Sequence, residues 1–118
     1  MALPTQAKAT RAKSFWGDVK TTNNTTVYTC PQNCTAEISF LHIVNAGGNN
    51  TANIYWYVAA DSYQSNFLGG KNMSTGEYIS FAPITLYLAA GDQIRVMTTS
   101  AGHVDIIGSV TETFKPIG

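Results

Sequence analysis

Short segments of this chain, several of them alternating apolar with polar residues, are separated at short intervals by glycine, proline, asparagine or aspartate. A period of two puts successive side chains on opposite faces of an extended backbone, so the pattern predicts strands and not helices. It is clearest in the last third. Residues 86–88 run into a Gly91-Asp92 turn, Ile94 and Val96 alternate with Gln93 and Arg95, a small polar turn covers residues 98–102, and residues 103–112 alternate again. Upstream, strands are predicted over residues 25–30, 37–44, 53–59, 63–68, 77–81 and 84–88. They are separated by Pro31-Gln32-Asn33, Gly47-Gly48, Gly69-Gly70 and Ser74-Thr75-Gly76, all turn-forming chemistry. Within residues 37–44 the apolar positions Ile38, Phe40, Leu41, Ile43 and Val44 slip out of strict alternation; a bulge near Phe40-Leu41 or burial on both faces explains the slip.

About seven or eight short strands at spacings of about 8–12 residues, with no helix-period segment, predict an all-β protein, an antiparallel β-sandwich of jelly-roll or immunoglobulin-like kind. Ile38, Trp56, Ile94, Val96, Val104 and Ile106 are expected inside. Residues 1–14 show no period of two and read as an extended arm, with a short helix as the alternative because Ala and Lys favour one. The expected division is therefore an N-terminal arm over residues 1–20 and a sandwich domain over residues 21–118, the arm serving assembly and contributing little to the fold.

Composition sharpens this picture. With 44% hydrophobic residues the chain has enough apolar surface for a core, but only 12% of its residues are charged, about half the usual share. A polar surface with few charges suits side-by-side packing, since fewer ions are desolvated at each contact. The formal net charge is zero, yet residues 1–20 carry Lys8, Arg11, Lys13 and Lys20 against Asp18, a balance of +3, and the remainder carries −3. An arm of opposite sign to its body either lies along a neighbouring copy or stays solvated. Leu3, Lys8, Arg11, Lys13, Phe15 and Trp16 are the candidate interface residues on it, with Phe15 or Trp16 expected to pack in their own domain. Neither a nucleic acid nor a membrane is an expected partner: the basic residues lack aromatic interleaving, and no apolar run approaches the length of a span. No signal-peptide pattern opens the chain.

Candidate chemistry is sparse. Cys30 and Cys34 flank a turn at a C-x3-C spacing, but a zinc site would need His42 and His103 from other strands, so reduced, packed thiols are expected and no metal or other cofactor. His103, Asp105 and Ser109 share one strand parity without the strained nucleophile turn that hydrolases use, which predicts a surface pair and no enzyme. If Ile54, Trp56 and Val58 fill the core, Tyr55 and Tyr57 form an outward aromatic pair, a binding surface for a neighbouring subunit or for sugar rings unless a loop or the arm covers it.

The segment built on Leu88, Gly91, Asp92, Ile94, Val96, Gly102, Val104, Ser109 and Glu112 resembles a family of small β-sandwich virion proteins of tailed bacteriophages, many marine or cyanobacterial. The shared pattern is L-x-x-GD-x-I-x-V followed by G-x-V-x-x-x-x-S-x-x-E, within a resemblance covering roughly residues 25–112. It implies a non-enzymatic virion structural protein made in a host cytoplasm, with other virion proteins and further copies of itself as partners. Capsid decoration or cement through the arm is the expected role, a tail, tail-fibre or baseplate component the alternative, and a carbohydrate-binding module the alternative of another class.

Overall fold

The computed structural model describes residues 9–99 and 103–115. Nine strands follow in order: β1 Thr10–Val19, β2 Thr25–Thr29, β3 Cys34–Gly47, β4 Asn50–Val58, β5 Tyr63–Met73, β6 Tyr78–Phe81, β7 Leu86–Leu88, β8 Gln93–Thr98 and β9 His103–Phe114. One turn of 3-10 helix, Ala59–Asp61, links β4 to β5. The strands form two sheets with every pairing antiparallel. Sheet A has the order β1-β9-β3-β6, with β7 pairing β3 alongside β6; sheet B has the order β2-β8-β4-β5. The two pack face to face as a β-sandwich, as the alternation predicts.

The inner faces meet over Ile38, Leu41, Ile43, Ile54, Ile94, Val96, Val104 and Ile106, all without exposed surface. Trp56, expected in this set, is only half-buried and packs against its edge, because its row in sheet B runs out to the edge strand β5 at Ser65. Aromatic pairs close the sandwich on both sides. Phe15 and Tyr28 lie 5.0 Å apart between β1 and β2, and Phe67 meets Phe81 edge-on at 5.0 Å between β5 and β6.

The slip in β3 has the first of its two explanations. The pairing of β3 with β9 shifts between Ile38 and Phe40, so Ser39 is the extra residue of a bulge. Ile38 and Leu41 then both point inward while Phe40 and His42 point outward. Gly91, at φ +89°, makes the turn into β8, and the buried Asp92 beside it accepts from the backbone N–H of Ala59 at 3.0 Å and of Ala89 at 2.9 Å. The Gly91-Asp92 turn therefore ties three segments together. Asn33 closes the Pro31 turn at φ +65°, a conformation asparagine tolerates.

The N-terminal segment differs from its reading as an arm. From Thr10 to Val19 it is the edge strand of sheet A, paired with β9 from Thr113 back to Val104 without a register shift. It does alternate, but in disguise. Its inward positions are Arg11, Lys13, Phe15, Gly17 and Val19, and the first two reach the buried carboxylate of Glu112 instead of an apolar neighbour. The domain thus begins at least ten residues before the expected boundary at residue 21.

Candidate assembly surface

In an antiparallel sheet, residues paired across neighbouring strands share a face. On the outer face of sheet A one such row runs Trp16, Ile107, His42 and Ser80, from β1 to β6. The row above it is Asp18, Asp105, Val44 and Tyr78, and the row below is Ser14, Ser109 and Phe40. Trp16 is 72% exposed, Tyr78 66% and Ile107 47%. Between them the His42 ring lies 5.3 Å from Tyr78 and 6.3 Å from Phe40, nearly parallel to the latter, with its Nδ1 2.6 Å from the Ser80 hydroxyl. These contacts tie the rings of β3 and β6 together, and Trp16 and Ile107 stand exposed beside them on the same face. Tyr87, 68% exposed on β7, continues it opposite Glu37.

The outer face of sheet B has the opposite character. Arg95 lies flat over Tyr57, its Cζ 3.8 Å from the ring centre, and hydrogen-bonds Gln93 and Gln64 at 2.8 and 3.2 Å. Thr26 and Asn24 donate to the same two glutamines. This face is a self-satisfied polar net.

The candidate interface residues read from sequence do not gather. Leu3 and Lys8 lie outside the described residues. Arg11 and Lys13 are committed to Glu112: the guanidinium Nη2 is 2.6 Å and the lysine Nζ 3.5 Å from its oxygens, and the Tyr28 hydroxyl donates to Oε2 at 2.6 Å. Phe15 is buried against Tyr28. Tyr55 and Tyr57 do face outward from sheet B but are half-buried, and it is Arg95 of their own sheet that covers Tyr57. Of the six that are described, only Trp16 stands out from the surface as a large apolar side chain. Phe40, His42, Tyr78 and Ile107 escaped the sequence reading. For Phe40 and Ile107 the signal was the double apolar pairs Phe40-Leu41 and Ile106-Ile107, of which one member faces out.

At the top of the same face, Asp18 and Asp105 oppose each other across β1 and β9. His103 lies two residues from Asp105 and points the same way, its Nε2 2.5 Å from Asp18 Oδ1 and 3.0 Å from Asp105 Oδ1. Lys20 Nζ is 3.4 Å from the other Asp18 oxygen. The Asp18 carboxyl is lowered from its ordinary value: desolvation works the other way, but His103 and Lys20 outweigh it. Cys30 and Cys34 are free and buried; Cys30 follows β2 and Cys34 begins β3, both in the core, apart from the two histidines on the outer face of sheet A. Burial, followed by the nearby Cys34, pushes the Cys30 thiol up to about 11.

No known protein family and no curated protein matches the chain. Solved structures do. The chain is similar to a subunit of Bacillus endospore appendages, described as disulfide-linked pili, at 13% identity and TM-score 0.62, covering 98% of this chain and 97% of that one. It is also similar to a capsid protein in the T13 particle of infectious bursal disease virus, at 9% identity and TM-score 0.56 over 90% of this chain. A variant VP2 protein of that virus in derived T=1 particles gives 11% and 0.55. The chain spans about a third of the length of these capsid proteins, 31% and 32%. At such identities the likeness is one of fold.

Proposed function

We propose that this chain is a non-enzymatic structural subunit that works by assembling with further copies of itself and with other proteins of a virion, as a capsid decoration or cement protein of a tailed phage. The observation that carries the reading is the outer face of sheet A. Trp16, Ile107 and Tyr78 stand exposed on one outer face of a molecule whose other outer face is polar, and exposed apolar patches mark interaction surfaces. Two further features support it. Among the described residues the long strands β1 and β5 each have a single partner, which makes them edge strands of the sort that pair with another chain. Both edges lie on opposite sides of the sandwich, which suits head-to-tail contact. The resemblance of the C-terminal pattern to phage virion proteins supplies the setting.

A non-catalytic reading agrees with the spacing on β9. Ser109 lies six positions beyond His103, about 20 Å along a strand, so the sequence's Ser, His and Asp of like parity do not converge. A second role, a tail or fibre component, is favoured by one observation: the fold neighbour that aligns end to end is a filament subunit. The stoichiometry of the chain against the major capsid protein in purified particles separates the two. Hundreds of copies per particle support decoration, and a dozen or fewer support the tail; absence from particles would refute both.

A further inference from the structure

We propose that Asp18, His103 and Asp105 form a binding site for one divalent transition-metal ion of the zinc class. The three residues offer two carboxylate oxygens and one imidazole nitrogen within 4.8 Å of one another. They come from two strands whose register is continuous, Asp18 pairing directly with Asp105, so the donors are fixed by the sheet and not by a loop. Two like charges directly opposite each other on one face are unfavourable by themselves. A cation between them removes the penalty, and His103 Nε2 sits there, 2.5 and 3.0 Å from the two oxygens. A single ring nitrogen carries at most one proton, so it satisfies one carboxylate at a time, whereas a metal ion satisfies both and the nitrogen together.

The geometry needs little adjustment. Bonds of about 2.0–2.1 Å in a tetrahedral site hold donor atoms roughly 3.3 Å apart, so each nitrogen–oxygen separation need lengthen by less than about 1 Å, and the two oxygens already lie within 4.8 Å of one another. Rotation of half-exposed aspartate side chains supplies that. Lys20 engages only Asp18 Oδ2, which leaves Oδ1 for the metal. The imidazole selects zinc, cobalt, nickel or copper over magnesium and calcium, which prefer oxygen donors alone. Three protein ligands leave the fourth position open to solvent on the same face as the apolar band. This site does not depend on the assembly reading.

Calorimetric titration of the full chain with zinc chloride at neutral pH tests it, with cobalt chloride as a spectroscopic probe. The expected result is one ion per chain, with a visible absorption band from the imidazole-ligated cobalt. His103→Gln, Asp105→Asn and Asp18→Asn should each weaken binding about tenfold or more. All three residues are at least a third exposed, and circular dichroism checks that each variant is folded. Replacing Cys30 and Cys34 with alanine should leave binding unchanged. The proposal is overturned if no saturable binding occurs, if the His103 and Asp105 variants bind as the parent does, or if binding disappears with the cysteines. Magnesium binding of comparable strength would overturn the assignment to a zinc-class ion.

Discussion

A carboxylate without exposed surface, such as that of Glu112, is tolerable only where donors replace the water it has lost. Here Tyr28, Arg11 and Lys13 do so, and the aromatic rings of Tyr28 and Phe114 lie beneath Lys13 and Arg11 in turn. Burial raises the Glu112 pKa, but the hydrogen bonds from Tyr28 and Arg11 and the charges of Lys13 and Arg11 outweigh it, and the group ends below its ordinary value. The Tyr28 phenol is raised, by burial first and then by the hydrogen bond it donates to Glu112. A carboxyl depressed on folding contributes stability that is present above its unfolded pKa, about 4.3, and is lost as pH falls through the folded value. Chemical denaturation should therefore show the protein losing stability on acidification below about pH 4. Glu112→Gln should flatten that dependence, leaving the part due to Asp18 and Glu77, which are also depressed. Tyr28→Phe removes the donor at 2.6 Å and should cost about 1–3 kcal/mol, the usual penalty for depriving a buried acceptor of its partner.

At the scale of elements, β1 decides how the N-terminus should behave under truncation. Deleting residues 1–14 would strip β9 of its partner on one edge from Ser109 to Thr113, leaving only its pairing with β3, and take both cations from Glu112. The sequence reading expects nearly unchanged thermal stability from that deletion. The structure reverses the expectation, and a fall in melting temperature on the order of 10 °C is expected by calorimetry. A second test of the same pairing lies at Phe15, whose ring rests on its cross-strand partner Gly108, where an added Cβ would overlap the ring. Gly108→Ala should cost about 1–3 kcal/mol by overpacking, and much less when Phe15 is already alanine. The reason β1 is hard to read in the sequence is physical. Its inward residues at Arg11 and Lys13 are charged, and what makes them inward is a glutamate 101 positions away. Strands β2, β8 and β9 were legible because most of their inward residues, such as Tyr28, Ile94, Val96, Val104 and Ile106, are apolar. For β5 the Gly69-Gly70 pair reads as a stop, yet the strand continues to Met73. There the sheet bends, with register shifts around Ile54, Gly70 at φ +64°, and Asn53 Oδ1 accepting the Gly70 N–H at 2.8 Å. Of the candidate surface, Trp16 was legible as one of two adjacent aromatics, either an interface residue or part of the core. Phe40 and His42 were not, since the bulge at Ser39 sets their parity.

For the molecule as a whole, the contrast between the two outer faces gives assembly a direction. Sheet B's outer side chains already satisfy one another through Arg95, Gln93 and Gln64, so covering them would gain little and would cost desolvation. Sheet A presents Trp16, Ile107 and Tyr78 to solvent, where burial of each large apolar side chain contributes about 1.5–3 kcal/mol. Charge adds little to this, because exposed ion pairs are worth at most about 1 kcal/mol and are screened by salt. Assembly through sheet A should accordingly persist in high salt and fail when the band is made polar. Replacing Trp16 and Ile107 together with serine should leave the far-ultraviolet circular dichroism spectrum of the sandwich intact. Sedimentation should show self-association, or binding to purified particles, weakened at least about tenfold, the equivalent of 1.4 kcal/mol. Tyr55→Ser with Tyr57→Ser on the opposite face should change association far less. If the sheet B variant is the one that abolishes association while the sheet A variant assembles normally, the polar face carries the contact and the apolar band has some other occupant.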